Sequence, residues 1–467
     1  MLPGMLQDRA RAWAPVVLQA VPRLRRVDAA PSSDRSGGQP ALAAAAAVVG
    51  ALTGLTAATF RLLLEHAGEA RIDLVRWAHG SPVLGFALVV LVCAAGTSAA
   101  SWLVHRVEPH AEGSGIPRVE AVVEGRKAPG RFRILPVKYV GGLLSIGSGL
   151  ALGREGPSVQ MGGTIAAVVG RALRRSGPDV RLLVAAGAAA GLATAFNAPI
   201  AGGVFVLEEL LKRFDPRTTL ATLVASAAGF ASAHVLLHSS TSDFHVPQLA
   251  EPSLAQAPLV LAVGVACGLL GVAYNWSVIR SLRIADTSRW PVVVRAALIG
   301  AAVGAVGWFG PGLVGGGDDL TQQALVGHGT VLTVTGLLVL RFVLGVVSYA
   351  ACTPGGLFAP MLVLGSNLGL LVELLGQTVA PHQTPEPAAL ALIGMAAFFT
   401  ATVRAPVTGL VLATEMTGST TLLPPMLGAC AVAMLTAAML RSTPIYDQLT
   451  QRAVNATRVN AAEGHPD

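Results

Sequence analysis

Gly153-Arg154-Glu155-Gly156-Pro157 runs directly into Ser158-Val159-Gln160-Met161-Gly162, inside a long apolar stretch. A second copy of the device lies 203 positions on: Gly356-Leu357-Phe358-Ala359-Pro360, followed by Met361-Leu362-Val363-Leu364-Gly365. Both read Gly-x-x-small-Pro-x4-Gly. Proline in the first turn of a helix costs no hydrogen bond, because the N–H it lacks would be unpaired there anyway. The glycine before it lets the backbone turn sharply. Each copy therefore predicts a helix that begins in mid-membrane, with free N–H groups and the positive end of its dipole aimed at a common point. An anion is the natural occupant of such a point. Glu155 stands at the mouth of the first helix.

Working outward, the chain has 467 residues, of which 53% are hydrophobic and only 13% charged. Weakly charged runs recur from 41–64 to 421–440, several of them long enough for the roughly 20 residues a bilayer requires. With 53 Gly and 29 Pro, other runs read as interrupted helices, which membranes tolerate where they line a cavity. The fold class expected is an all-α polytopic membrane protein. Lys and Arg cluster in short linkers, as at Arg126, Lys127, Arg131 and Arg133, or Arg171, Arg174 and Arg175. That pattern fits cytoplasmic loops, and with a net charge of +7 it argues for a lipid bilayer and no nucleic acid as partner. Cys93, Cys267, Cys352 and Cys430 have no metal-type spacing and read as core fillers. No metal and no cofactor is expected.

A second matched pair supports duplication. Ala198-Pro199-Ile200-Ala201-Gly202 leads to Glu208, and Ala405-Pro406-Val407-Thr408-Gly409 leads to Glu415, each residue 207 positions after its partner. The expected organisation is a cytoplasmic N-terminal amphipathic helix and linker over 1–40, a first transmembrane repeat over 41–240 and a linker over 241–253. A second repeat follows over 254–446, and then a short polar tail over 447–467 with no room for a regulatory domain. Secondary transporters use such repeats, and their broken helices meet at the midplane.

Several side chains could carry chemistry. In Gly113-Ser114-Gly115-Ile116-Pro117, Ser114 would offer a hydroxyl beside free amides. A site of partial charges binds an anion weakly enough to release it, whereas a full charge in low dielectric would hold it. Lys138 and Arg154 are full charges near the motifs. Either raises the local potential without touching the ion, or it snorkels to an interface or pairs with a carboxylate. Ionised, Glu155 would imitate an anionic ligand at the helix end; protonated, it would leave, so one residue could both compete with the anion and carry a proton. Glu208 and Glu209 close an apolar segment, and on a helix they point about 100° apart, one inward and one outward; a solvated terminus is the plainer reading. Glu415 reads as a hydrogen-bonded structural acid and Tyr446 as an interfacial anchor.

Taken together, Gly113–Pro117, Gly153–Pro157, Gly356–Pro360 and the late Tyr446 resemble the CLC family of chloride channels and chloride/proton antiporters, over about residues 40–450. The resemblance implies a homodimer with one anion pathway per subunit and a two-fold inverted repeat within each. It implies that Ser114 and Tyr446 give hydroxyls to a central anion, joined by the amides of Leu357 and Phe358. The amides of Gly156, Phe358 and Ala359 would line an outer site, and the turn at Gly113 and Ser114 an inner one. Glu155 would be the gating and proton-transferring glutamate and Glu209 the internal proton glutamate. Lys138 and Arg154 would shape the potential, and the segments around 199–213 and 404–440 would form much of the dimer contact. Serine at 114 resembles chloride-selective members rather than nitrate-preferring ones.

The function expected is therefore exchange of chloride ions for protons by a multi-pass protein of the cell inner membrane, with both termini cytoplasmic. A passive, voltage- or pH-gated chloride channel of the same family is the alternative. An intramembrane enzyme is disfavoured, since no histidine in the apolar segments could serve Ser114 as a base.

Overall fold

The computed structural model describes residues 38–237, 243–246, 249–379, 381 and 384–462, the last seven by their backbone alone. The amphipathic helix expected before residue 38 lies outside them. Seventeen α-helices and no strand occur among the described residues. The first eight are α1 (Gln39–Ala78), α2 (Pro82–Val107), α3 (Ile116–Val123), α4 (Ile134–Gly147), α5 (Glu155–Ala172), α6 (Gly177–Ala195), α7 (Pro199–Phe205) and α8 (Pro216–Leu237). A wide π-type turn, Val206–Leu210, extends α7. The next eight are α9 (Ala257–Thr287), α10 (Val292–Phe309), α11 (Asp318–Leu325), α12 (Val331–Tyr349), α13 (Phe358–Val379), α14 (Pro387–Val403), α15 (Pro406–Thr417) and α16 (Leu423–Met439). The region expected to be a polar tail forms most of a last helix, α17 (Ile445–Ala462).

Proline in the first turn opens many of these helices, among them α2, α3, α6, α7, α14, α15 and α16, as its fixed φ and missing donor favour. Seven helical segments are long and apolar enough to cross a membrane: α1, α2, α8, Leu254–Thr287, α10, α12 and α13. The four cysteines are buried and unpaired, as core fillers should be.

Helices α9–α16 follow one another much as α1–α8 do, and the likeness reaches the backbone. The eight-residue helices α3 and α11 both start after a left-handed glycine, Gly115 at φ +79° and Gly317 at φ +92°. Asn197 and Arg404, 207 apart, both turn the chain at positive φ just before α7 and α15. Helix packing repeats as well. A Cβ on Gly162 would fall 2.1 Å from the Gly187 carbonyl oxygen, and one on Gly187 would fall 2.3 Å from that of Gly162. The same exchange occurs between Gly365 and Gly394, at 2.5 and 2.3 Å. These pairs bring α5 against α6 and α13 against α14 at backbone contact, as small residues do between membrane helices. Helix α14 is buried from Ala388 to Val403 without a break. A helix apolar on all sides belongs in the interior, and α14 backs the site described next.

Candidate functional site

The two signature segments meet. Gly153 N–H donates to the Gly356 carbonyl at 2.9 Å, and Gly356 N–H returns a bond to Gly153 at 2.7 Å. The third segment joins through Gly113 N–H to Thr353 O at 3.2 Å and Gly355 N–H to Gly113 O at 3.1 Å. These bonds draw the starts of α3, α5 and α13 to one place. Two glycines make this possible. A Cβ on Gly156 would come 2.7 Å from the Ser114 carbonyl oxygen, and one on Gly356 would come 2.9 Å from the Gly156 nitrogen.

The expected residues line this place. Glu155, Ser114, Phe358 and Tyr446 are each at most 1% exposed. The Glu155 carboxylate lies over Gly153 and Gly356, with the N–H groups of Glu155 itself and Ala359 facing it. Its Oε2 has no hydrogen-bond partner, and Glu155 has no ion pair among the described residues. Arg154 instead donates to Ala195 O at 3.0 Å and pairs with Asp318 at 3.3 Å and Asp243 at 3.8 Å. Arg154 therefore pairs with carboxylates, but not with its neighbour. Leu357 and Ala359 are buried beside Phe358. The Phe358 ring sits among Phe196, Phe205, Phe399 and Tyr446.

Tyr446 is fully buried and its hydroxyl has no partner among the described residues. Its reading as an interfacial anchor is corrected: α17 turns its first residues back into the core, against Phe358. Lys138 does not snorkel. It is 0% exposed, and its ammonium donates to the carbonyls of Ala111 at 3.0 Å and Gly113 at 2.6 Å. It holds the turn that carries Ser114. Arg341, 203 positions later, binds the carbonyls of Leu313, Gly315 and Gly316 in the twin turn before α11. The repeat offset applied to Lys138 would have found Arg341 in the sequence.

Neither member of the Glu208–Glu209 pair is a solvated terminus. Glu208 accepts from Val407 N at 3.0 Å, Thr408 N at 2.7 Å and Thr408 Oγ1 at 2.7 Å, capping α15. Glu415 does the same for α7, accepting from Ile200 N at 3.0 Å and Ala201 N at 2.6 Å. It is a structural acid as expected, with backbone donors from the other half. Glu209 turns inward and is 5% exposed. Near it Lys212 pairs with Asp447 at 3.1 Å and Glu120 at 3.5 Å, and Thr450 donates to Glu120 at 3.1 Å. Burial opposes the Lys212 charge, but the carboxylates of Asp447, Glu209 and Glu120 outweigh it and hold its pKa above the ordinary lysine value.

One residue at the site carries no sequence signal. The Tyr349 hydroxyl, at the end of α12, accepts the Ser114 N–H at 3.4 Å. The Ser114 side chain bonds this hydroxyl as well. Nothing in the apolar run that contains Tyr349 distinguishes it from a packing aromatic.

Residues 95–438 match the family model described as voltage gated chloride channel. The H(+)/Cl(-) exchange transporter ClcA of Vibrio parahaemolyticus is 34% identical over 417 residues, spanning 88% of this chain and 89% of that protein. Among solved structures, a slow cyanobacterial Cl-/H+ antiporter aligns with a TM-score of 0.85 and 32% identity, over 90% of this chain and 99% of the other. A CLC-type fluoride/proton antiporter, at 23% identity and TM-score 0.73, covers 88% of this chain and 97% of its own, and shares the fold.

Proposed function

The chain belongs to the voltage gated chloride channel family, and from that membership we propose that it exchanges chloride for protons across a membrane. The observation that carries this reading is the Glu155 carboxylate, buried without a cation where the amide ends of α5 and α13 converge. A carboxylate in that position takes the place of an anion, and it can leave only by gaining a proton or yielding to chloride. The exchange relatives named above support the same reaction class.

In this reading chloride steps past the Gly113–Ser114 turn, then the hydroxyls of Ser114 and Tyr446 with the amides of Leu357 and Phe358. It then passes the amides of Gly156, Phe358 and Ala359. The Tyr446 hydroxyl, unpartnered among the described residues, supplies a donor. Tyr349 adds a hydroxyl beside Ser114. Lys138 and Arg154 act at a distance, since carbonyls and carboxylates already occupy their donors. Protons enter by Glu209, near the Glu120–Lys212–Asp447 cluster, and reach Glu155.

The two repeats are inverted about a two-fold axis in the membrane plane. Reciprocal contacts support this: Gly153 with Gly356, and Glu208 and Glu415 each capping a helix of the other half. Two chains dimerise through the segments around 199–213 and 404–440, where Ile200, Val407, Leu427 and Leu435 stand exposed. The protein resides in the cell inner membrane with both termini cytoplasmic.

Reconstitution into vesicles with simultaneous chloride and proton recording tests the function. A chloride gradient should drive protons uphill, and Glu155→Gln should abolish proton movement while chloride still passes. Chloride flux indifferent to a pH gradient in the unaltered protein would make it a passive channel. Coupling that survives Glu155→Gln would remove the gate assignment.

A further inference from the structure

A cavity of about 490 Å³ opens between the loop after α3 and the turn joining α5 to α6. Five basic side chains line it, namely Arg126, Lys127, Arg171, Arg175 and Arg181, and no carboxylate does. Glu124 pairs with Arg126 and offsets one of the five charges, and Asp179 pairs with Arg217 at 2.7 Å. Lys127, Arg171 and Arg181 have no ion pair with any described carboxylate. Two of the guanidiniums are held in position by backbone carbonyls. Arg171 donates to Pro129 O at 3.1 Å and Arg175 to Ala41 O at 2.7 Å. Arg181 lies against the turn at Gly125.

Surface cations drawn together only to orient the chain in the membrane would spread apart in solvent, because like charges repel. Here carbonyl bonds hold Arg171 and Arg175 beside one cavity, and Arg171 and Arg181 keep N–H donors for a ligand. A guanidinium fork matches phosphate oxygens in a bidentate manner, and lysine adds a point charge. Close by in the chain, Phe132 is 59% and Leu173 50% exposed. Exposed apolar side chains next to basic ones are the setting in which basic clusters bind anionic lipids. We propose that this cavity binds a phosphate-rich anion carrying at least two negative charges, either as a lipid headgroup or as a soluble polyphosphate. The binding does not depend on the transport reading, so the two stand or fall separately.

The test uses the full chain purified in detergent. Sodium tripolyphosphate is titrated by calorimetry, and retention of cardiolipin from phosphatidylcholine nanodiscs containing it is read by native mass spectrometry. Saturable binding of either probe is expected; tripolyphosphate alone identifies a soluble ligand, and cardiolipin alone a headgroup. Lys127→Gln with Arg181→Gln should weaken binding about tenfold or more, since charged hydrogen bonds are lost. Arg283→Gln with Arg289→Gln, the same charge change elsewhere, should leave it within about twofold. If the first pair fails to fold, the exposed pair Arg126→Gln with Arg171→Gln replaces it. Absence of saturable binding of both probes, or equal loss in the cavity and control pairs, overturns the proposal.

Discussion

Glu208 caps a helix, its neighbour Glu209 carries protons in the proposed exchange, and replacing each in turn separates the two tasks. Glu208 accepts three hydrogen bonds from the first turn of α15, two from backbone N–H groups and one from the Thr408 hydroxyl. Loss of a helix cap costs about 0.5–2 kcal/mol, and a hydrogen bond to a charged group contributes about 1.5–3 kcal/mol. The bonds share one carboxylate, and the site is half-buried, so water can replace part of what is lost. Glu208→Ala should therefore cost about 2–4 kcal/mol. Glu208→Gln keeps one acceptor oxygen and should cost about half as much. Glu209 accepts no such set of bonds among the described residues, and Glu209→Gln removes a buried titratable group beside Glu120, Lys212 and Asp447. It should leave stability nearly unchanged and uncouple chloride from protons. The assay pairs unfolding in titrated SDS, read by tryptophan fluorescence, with chloride and proton fluxes in vesicles. Glu208 variants should lose stability and keep their chloride-to-proton ratio, and Glu209→Gln the reverse. A Glu208→Ala protein as stable as its parent, or a Glu208→Gln protein that folds well but is uncoupled, would refute the division of labour.

Gly162→Ala should fold poorly or lose about 1–3 kcal/mol or more, because the added methyl would meet the Gly187 carbonyl at 2.1 Å; yield and size-exclusion profile in detergent report it, and a normal profile would deny the close crossing. Tyr349→Phe removes the hydroxyl beside Ser114 and should weaken chloride binding about fivefold, the value of one ordinary hydrogen bond; an unchanged calorimetric affinity would confine Tyr349 to packing. Ser114→Pro should move anion preference toward nitrate, measured as relative flux in vesicles, and unaltered preference would take Ser114 out of selectivity.

The broken helices and their meeting point were legible because proline and glycine act locally. A helix start at Glu155 or Phe358 follows from its own ten residues, and an offset of 203 says that two such starts belong together. Burial was harder to read. Tyr446 stands after a proline near the end of the chain, where an anchor is the common outcome; only the return of α17 toward Phe358 decides otherwise. Glu208 and Glu415 looked like a polar end and a lone acid, because each one's partner lies about half a chain away. The repeat encoded that partnership, since residues 199–201 and 406–408 share the offset of the two glutamates. Tyr349 was silent, because an aromatic in an apolar run gains its task only from what packs across from it.

The crosswise caps bear on how the protein is made. Ile200 and Ala201 wait for an acceptor at residue 415, more than two hundred positions downstream. A ribosome that has delivered only the first eight helices leaves those amides open in hydrocarbon, where an unpaired group costs several kcal/mol. The early helices must then linger in a provisional arrangement, at the insertion machinery or loose in the bilayer, until the late ones arrive to seal them. Severed into two pieces, the protein should be salvaged only when both pieces are synthesised together, each serving as the other's closing latch.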